Sequence, residues 1–140
     1  MNKYTTTLAI DNVISAQTLS LRGELTIREL IEEVFVQLQT DAVPDPFKLT
    51  VEYYGYDHFQ GNKSYLGYFI VSVDKYISDM THYWDVLVND KPASLGIDSY
   101  LVQPGDRVEL KFVAVSAAAP AAAERLKRIH ARRAQVAKKA

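Results

Sequence analysis

One hundred and forty residues, 48% hydrophobic and 24% charged with a formal net charge of -1, suit one globular domain with an appendage. The chain has no cysteine, which excludes disulfides, thiolate catalysis and zinc-finger chemistry together. Residues 1–12 lack the apolar core of a signal peptide and no apolar run reaches membrane-spanning length. The expectation is a cytoplasmic protein, or one packaged in a particle assembled inside a cell. The small net charge hides an asymmetry. Residues 121–140 carry seven basic side chains and one acid, whereas residues 1–120 carry nine basic and sixteen acidic ones. An acidic body with a basic tail bears on partners rather than on fold.

Residues 4–10 alternate Tyr4, Thr6, Leu8 and Ile10 on one face, the pattern of a strand, and residues 17–21 form a second, short one. The period then changes. Ile27, Leu30, Ile31, Val34 and Leu38 recur at three and four residues, the stripe of an amphipathic helix. Thr26 and Glu29 have capping-box spacing, and Leu25 and Leu30 stand where a hydrophobic staple would form. Pro44 and Pro46 break the helix. Strand patterns resume in residues 48–56 and 67–73, separated by a polar, glycine-containing loop at 57–64. Residues 83–89 and 93–101 read as strands about the turn Asn89-Asp90, and residues 107–115 close the set after Pro104-Gly105. The final strand is expected to pair beside the first, which needs a central partner to bury Leu8 and Ile10. Ile27, Leu30, Val34 and Leu38 are expected to meet Leu8, Val51, Val86 and Leu110. The fold class is therefore α+β, with one helix across a mixed sheet.

Residues 116–140 are different material. Residues 116–119 read as an alanine-rich linker, and the helix-forming run beyond them as a basic arm whose apolar stripe is Leu126, Ile129 and Val136. The division is a domain at 1–115 and a linker with arm at 116–140.

Gly67, Tyr83-Trp84, the turn Val88-Asn89-Asp90-Lys91, Gly96 with Tyr100, and Pro104-Gly105-Asp106 form a combined pattern. It resembles the β-grasp domain at the C-terminus of transcobalamin and intrinsic factor, also found in bacterial proteins of unknown function. The resemblance covers about residues 4–112. It implies a β-grasp fold and a ligand-capping face near Gly67, Tyr68, Tyr83 and Trp84, with the rest of the pocket supplied from elsewhere. Three features depart from the pattern. Asp90 stands where the turn usually has glycine, the 140 residues hold no helical-barrel domain, and the basic tail lies outside it. Trp84 itself reads either as a sheet aromatic in the core or as a binding platform.

No catalytic set converges. His58, His82 and His130 lack ligand spacing, and Glu29, Glu32 and Glu33 read as a solvated helix face. No phosphate loop, nucleophile elbow or zinc motif is present. The expectation is a protein that is not an enzyme and names no cofactor or metal. The leading reading is a non-catalytic interaction module, a structural or adaptor component of an intracellular particle or virion. It would dock on a neighbouring subunit or partner protein through Arg125, Leu126, Arg128, Ile129, Arg132, Arg133 and Val136. Nucleic acid is a less favoured partner for that arm, because no aromatic is interleaved among its cations. The alternative is a corrinoid-like small-molecule binding domain that forms one lid of a shared pocket.

Overall fold

The computed structural model describes residues 3–59, 61–93 and 95–139, and of Phe59, Ser64 and residues 136–139 the backbone alone. The chain runs β1 (Tyr4–Ile10), β2 (Ile14–Leu21), α1 (Ile27–Leu38), β3 (Leu49–Tyr53), β4 (Tyr56–Phe59) and β5 (Asn62–Tyr65). It continues through β6 (Tyr68–Val73), β7 (Tyr76–Ile77), β8 (His82–Val88), β9 (Lys91–Pro92), β10 (Arg107–Ala114) and α2 (Pro120–Lys139). A five-stranded sheet has the order β2-β1-β10-β8-β9, a three-stranded sheet β3-β6-β7, and β4-β5 is a separate hairpin.

The centre of the large sheet is the parallel pair β1–β10, with Leu8 opposite Val108 and Ile10 opposite Leu110. Both flanking pairs are antiparallel, β1 with β2 and β10 with β8. This is the β-grasp arrangement, and the closing strand lies beside the first as its hydrophobic pattern requires. Helix α1 crosses one face. Thr26 caps it through a complete capping box with Glu29, whose carboxyl the cap amide and hydroxyl hold below its ordinary range. Ile27, Leu30, Ile31 and Val34 are buried against Leu8, Ile10, Val108 and Leu110, with Leu38, Val51 and Val86 at the margin of the same core. Ser78, buried between the sheets, donates its hydroxyl to the Ile70 carbonyl and accepts from the Trp84 amide. It stitches β6 to β8.

The turns follow their residues. Asn89 (φ 52°) and Asp90 (φ 69°) both adopt the left-handed conformation that a type I′ hairpin demands. Asp90 holds it without being glycine, its carboxylate paired with Arg107. Gly105 (φ 81°) supplies the positive φ after Pro104. Asp106 beyond it is buried, and its carboxylate accepts from Asn89 Nδ2 (2.9 Å), the Tyr100 hydroxyl (3.0 Å) and the Gln103 amide (2.8 Å). One side chain thereby ties two turns and the 96–100 segment together.

Three expectations are corrected. Residues 57–64 are a hairpin rather than a loop: β4 and β5 pair, Tyr56 and Tyr65 lie 4.9 Å apart, and Lys63 sits over the Tyr56 ring. Cross-strand aromatic and cation contacts replace the apolar alternation that normally marks strands. The strand expected over residues 93–101 does not form among its described residues, 93 and 95–101. After β9 the chain turns at 97–99, with the Gly96 carbonyl accepting from Ser99 and Tyr100, and Leu101 forms an isolated bridge with Thr26. Gly96, Asp98 and Ser99 are turn formers, and Ile97 and Val102 anchor the segment in the core.

The third correction is the arm. Helix α2 lies on the face of the sheets opposite α1, and Leu126 and Ile129 are buried against Leu66, Phe69 and Tyr83 of the same chain. The groove placed on a neighbouring subunit is on the protein's own body, and its residues are already occupied. Nor do residues 116–119 hang free. Val115–Ala117 form a 3-10 turn, the Val115 amide bonds the Thr81 carbonyl at 2.8 Å, and Ala118 packs on the α2 cluster.

Candidate functional site

Strand alternation separates the two residues singled out as an aromatic pair. Tyr83, opposite Val113 on β10, points to the α2 side, where burial raises its phenol above the ordinary range. Trp84, opposite Phe112, turns to the α1 side, only 5% exposed, with Nε1 donating to the Tyr76 carbonyl at 2.8 Å. The indole is a satisfied core residue. No single platform carries both rings.

Gly67 does its work in the backbone. It sits at φ 65°, and a Cβ there would come within 2.7 Å of the Tyr65 ring. Its carbonyl accepts from the Tyr54 amide and its amide donates to the Gly55 carbonyl, closing the start of β6. Tyr68, next in sequence, lies 4.9 Å from the Tyr53 ring and takes the Arg28 guanidinium at 5.3 Å.

What brings Tyr68, Tyr83 and Trp84 to one place is a cleft of about 440 Å³ where β6 and β8 diverge. Residues 92, 93 and 95–99 close one side, and Ala122, Arg125 and Leu126 of α2 close the other. The arm and the capping face, read from sequence as two separate sites, are walls of the same cavity. Arg125 fastens that wall. Its guanidinium donates to the Leu66 carbonyl (2.6 Å) and the Tyr68 carbonyl (3.0 Å), and burial pulls its pKa down. Further along α2, Arg128 pairs with Asp57 at 3.0 Å and Arg133 with Glu52 at 3.1 Å, while Arg133 also faces the Phe69 ring. The Arg128 hydrogen bond, more than any other contact, holds the Asp57 carboxyl below its usual range. Arg132 is exposed, and the side chain of Val136 lies outside the described residues.

Sequence reasoning missed the cleft's polar group. Asp85 is half-buried between Trp84 and Val86, lines the cavity, and forms no ion pair among the described residues. Burial pushes its carboxyl above the ordinary value. An aspartate inside an otherwise apolar strand, "YWDVLV", was the available signal. Tyr65, also on the cleft lining, donates its hydroxyl to Asp98 Oδ2 at 2.8 Å, and Asp98 Oδ1 is buried with no hydrogen-bond partner among the described residues.

A larger groove of about 860 Å³ runs between α1 and β3, touching the sequence-derived site at Tyr68 alone. Of its polar lining groups, Arg28 bonds both Glu32 (3.4 Å) and the Tyr68 hydroxyl (3.2 Å), whereas Asp45 and Lys48 stand exposed to solvent. The smaller cleft holds a half-buried carboxylate where the groove has only exposed ones or paired ones, and with it the better basis for recognition. Among the described residues no cluster of three or more His, Cys, Asp or Glu is placed to hold a metal ion, and no helix is long and apolar enough to cross a membrane.

Residues 48–114 match the family described as a domain of unknown function, DUF4430, a stretch that runs from β3 through β10. No curated protein matches the chain. Among solved structures, haptocorrin in complex with Cbi is similar with a TM-score of 0.57 at 14% identity, over 81% of this chain and 25% of that one. A proposed metal-binding protein from Ruminococcus gnavus aligns over 81% of this chain and 98% of its own, at 16% identity and a TM-score of 0.47. The resemblance to the transcobalamin-type domain therefore holds, as one of fold. The chain spans about a quarter of the haptocorrin structure it matches.

Proposed function

We propose that this chain is a non-catalytic binding module that supplies one wall of a ligand pocket through the cleft between β6, β8, segment 95–99 and α2. The observation that carries this reading is the convergence in that cleft of Tyr68, Tyr83 and Trp84 with the half-buried Asp85, which forms no ion pair among the described residues. Largely apolar and aromatic walls with a half-buried carboxylate free of ion pairs suit a large, mostly apolar ligand that presents amide or amine donors at its edge. A corrinoid with its rim of amides is a ligand of that kind, and the fold shared with haptocorrin makes it the first to try.

The adaptor reading is narrower than it was at the level of sequence. Leu126 and Ile129 of the α2 stripe are taken up by the body, and among the described side chains the exposed cations Lys127 and Arg132 are what the arm offers a partner or an assembled particle. Exposed cations of this kind contribute little each.

The test is a titration of the full chain with cobalamin, followed by the melting temperature and by the corrin absorption band. A single wall binds weakly, so the expected outcome is a melting temperature that climbs with ligand into the millimolar range, and less steeply in Asp85→Ala. An unchanged melting curve and an unchanged band at those concentrations would remove corrinoid recognition by this module.

A further inference from the structure

Each of the two larger sheets ends in strands with a neighbour on one side only, and three of these four edges are short or guarded. β7 has two residues, and β9 has two of which one is proline. On β2, the Gln17 side chain bends back to occupy the Ser15 carbonyl at 3.0 Å. β3 is different. Its five residues, Leu-Thr-Val-Glu-Tyr, like those of β2 include no proline and no lysine, and among the described residues no side chain bonds to its main chain.

Which groups face outward follows from the pairing. The Lys48 carbonyl accepts from the Asp74 amide and the Tyr54 amide donates to the Gly67 carbonyl, so both residues point towards β6. The register shift in this pair skips Val71 on β6, so alternation along β3 is unbroken. Thr50 and Glu52 therefore face β6 as well. The amides and carbonyls of Leu49, Val51 and Tyr53 form the edge left free among the described residues.

We propose that this edge is a homodimer interface, in which two copies pair β3 with β3 antiparallel about a twofold axis through Val51. The register is dictated by the groups left over. Centred on Val51, it sets Val51 opposite its own copy and Leu49 opposite Tyr53, each an outward-facing residue, so each pair exchanges both main-chain hydrogen bonds. Thr50 falls opposite Glu52, and no like charges oppose one another. On the groove side of the strand the facing residues are apolar throughout. Tyr53 is 56% exposed here, and Val36 beside the groove 61%, and both gain cover from the second copy. The surface is self-complementary, as a twofold interface must be. The result is a continuous six-stranded sheet, β7-β6-β3 running into its symmetry mate.

The chain has no cysteine of its own, so a single introduced one reports on pairing between copies. Val51→Cys places two thiols across the axis at the Cα separation of a hydrogen-bonded pair, about 5.5 Å, within disulfide reach. Ile77→Cys on β7, at the opposite edge of the same sheet, is the control. Sedimentation of the unaltered chain up to roughly 100 µM should show a reversible monomer–dimer equilibrium. Under mild oxidation Val51→Cys should form covalent dimer at least roughly ten times faster than Ile77→Cys, the ratio expected of oriented over random encounter. A chain that stays monomeric throughout, or a dimer in which the two cysteine variants cross-link at equal rates, would overturn the proposal.

Discussion

At the scale of single residues, two aspartates, one on β8 and one just before β10, do opposite work. Asp106 is fully used: three donors converge on its carboxylate, and they join the hairpin turn at Asn89, the Tyr100 segment and its own turn. Asp106→Ala leaves those donors without an acceptor and should cost about 3 kcal/mol in urea unfolding, in line with a lost set of charge-assisted bonds. A loss within the range of surface substitutions, about 0.5 kcal/mol, would mean that the three bonds are not formed together. Asp85 is the reverse case. Burial raises its carboxyl, so the folded state holds the proton more tightly than the unfolded chain does. Stability therefore falls as pH rises from the ordinary carboxylate range through the raised value, and the penalty persists at neutral pH. Asp85→Asn should raise the melting temperature at pH 7 and leave it nearly unchanged in acid, below both values. Residues kept at a cost in stability are characteristic of sites. A lower melting temperature at pH 7 would instead make the carboxylate a structural acceptor.

At the scale of elements, α1 was legible in full and α2 only in part. The helix α1 announces itself through period, capping box and staple, all of them local, and its buried face is the one its stripe implies. For α2 the helix was legible and its place was not. Three apolar residues look too few to hold a helix, because sequence does not show that Arg125, Arg128 and Arg133 would each find a fixed partner on the body. The burial of Ile129, with none of its surface exposed, supplies the anchor. Ile129→Ser removes that apolar anchor and adds a buried hydroxyl, so the loss should reach about 2–5 kcal/mol or the limit set by detachment of α2. Trypsin should then cut within residues 125–133 well before the rest of the chain, while the five-stranded sheet keeps its circular dichroism. Equal resistance to trypsin in the substituted and unaltered chains would mean that the polar contacts alone hold the helix.

At the scale of the whole molecule, the fold was legible because its punctuation is local: Asn89-Asp90, Pro104-Gly105 and the alternation of β1, β8 and β10 each fix a piece of the β-grasp sheet. The cleft was not, because it is made by distance. Tyr68, Asp85, Gly96 and Arg125 lie on four segments, and nothing in their spacing says that β6 and β8 diverge between them. The β4–β5 hairpin escaped for another reason, since rings and a cation do the work of an apolar face. The central claim is that α2 is a folded wall of the cleft, joined to the body that bears the other walls. Hydrogen exchange of the unaltered full chain at neutral pH tests this most directly. Amides of residues 124–133 should be protected to the same degree as those of β6, and protection of both should rise together when cobalamin is added. Exchange of residues 124–133 at the rate of an isolated helix, with β6 protected, would contradict it.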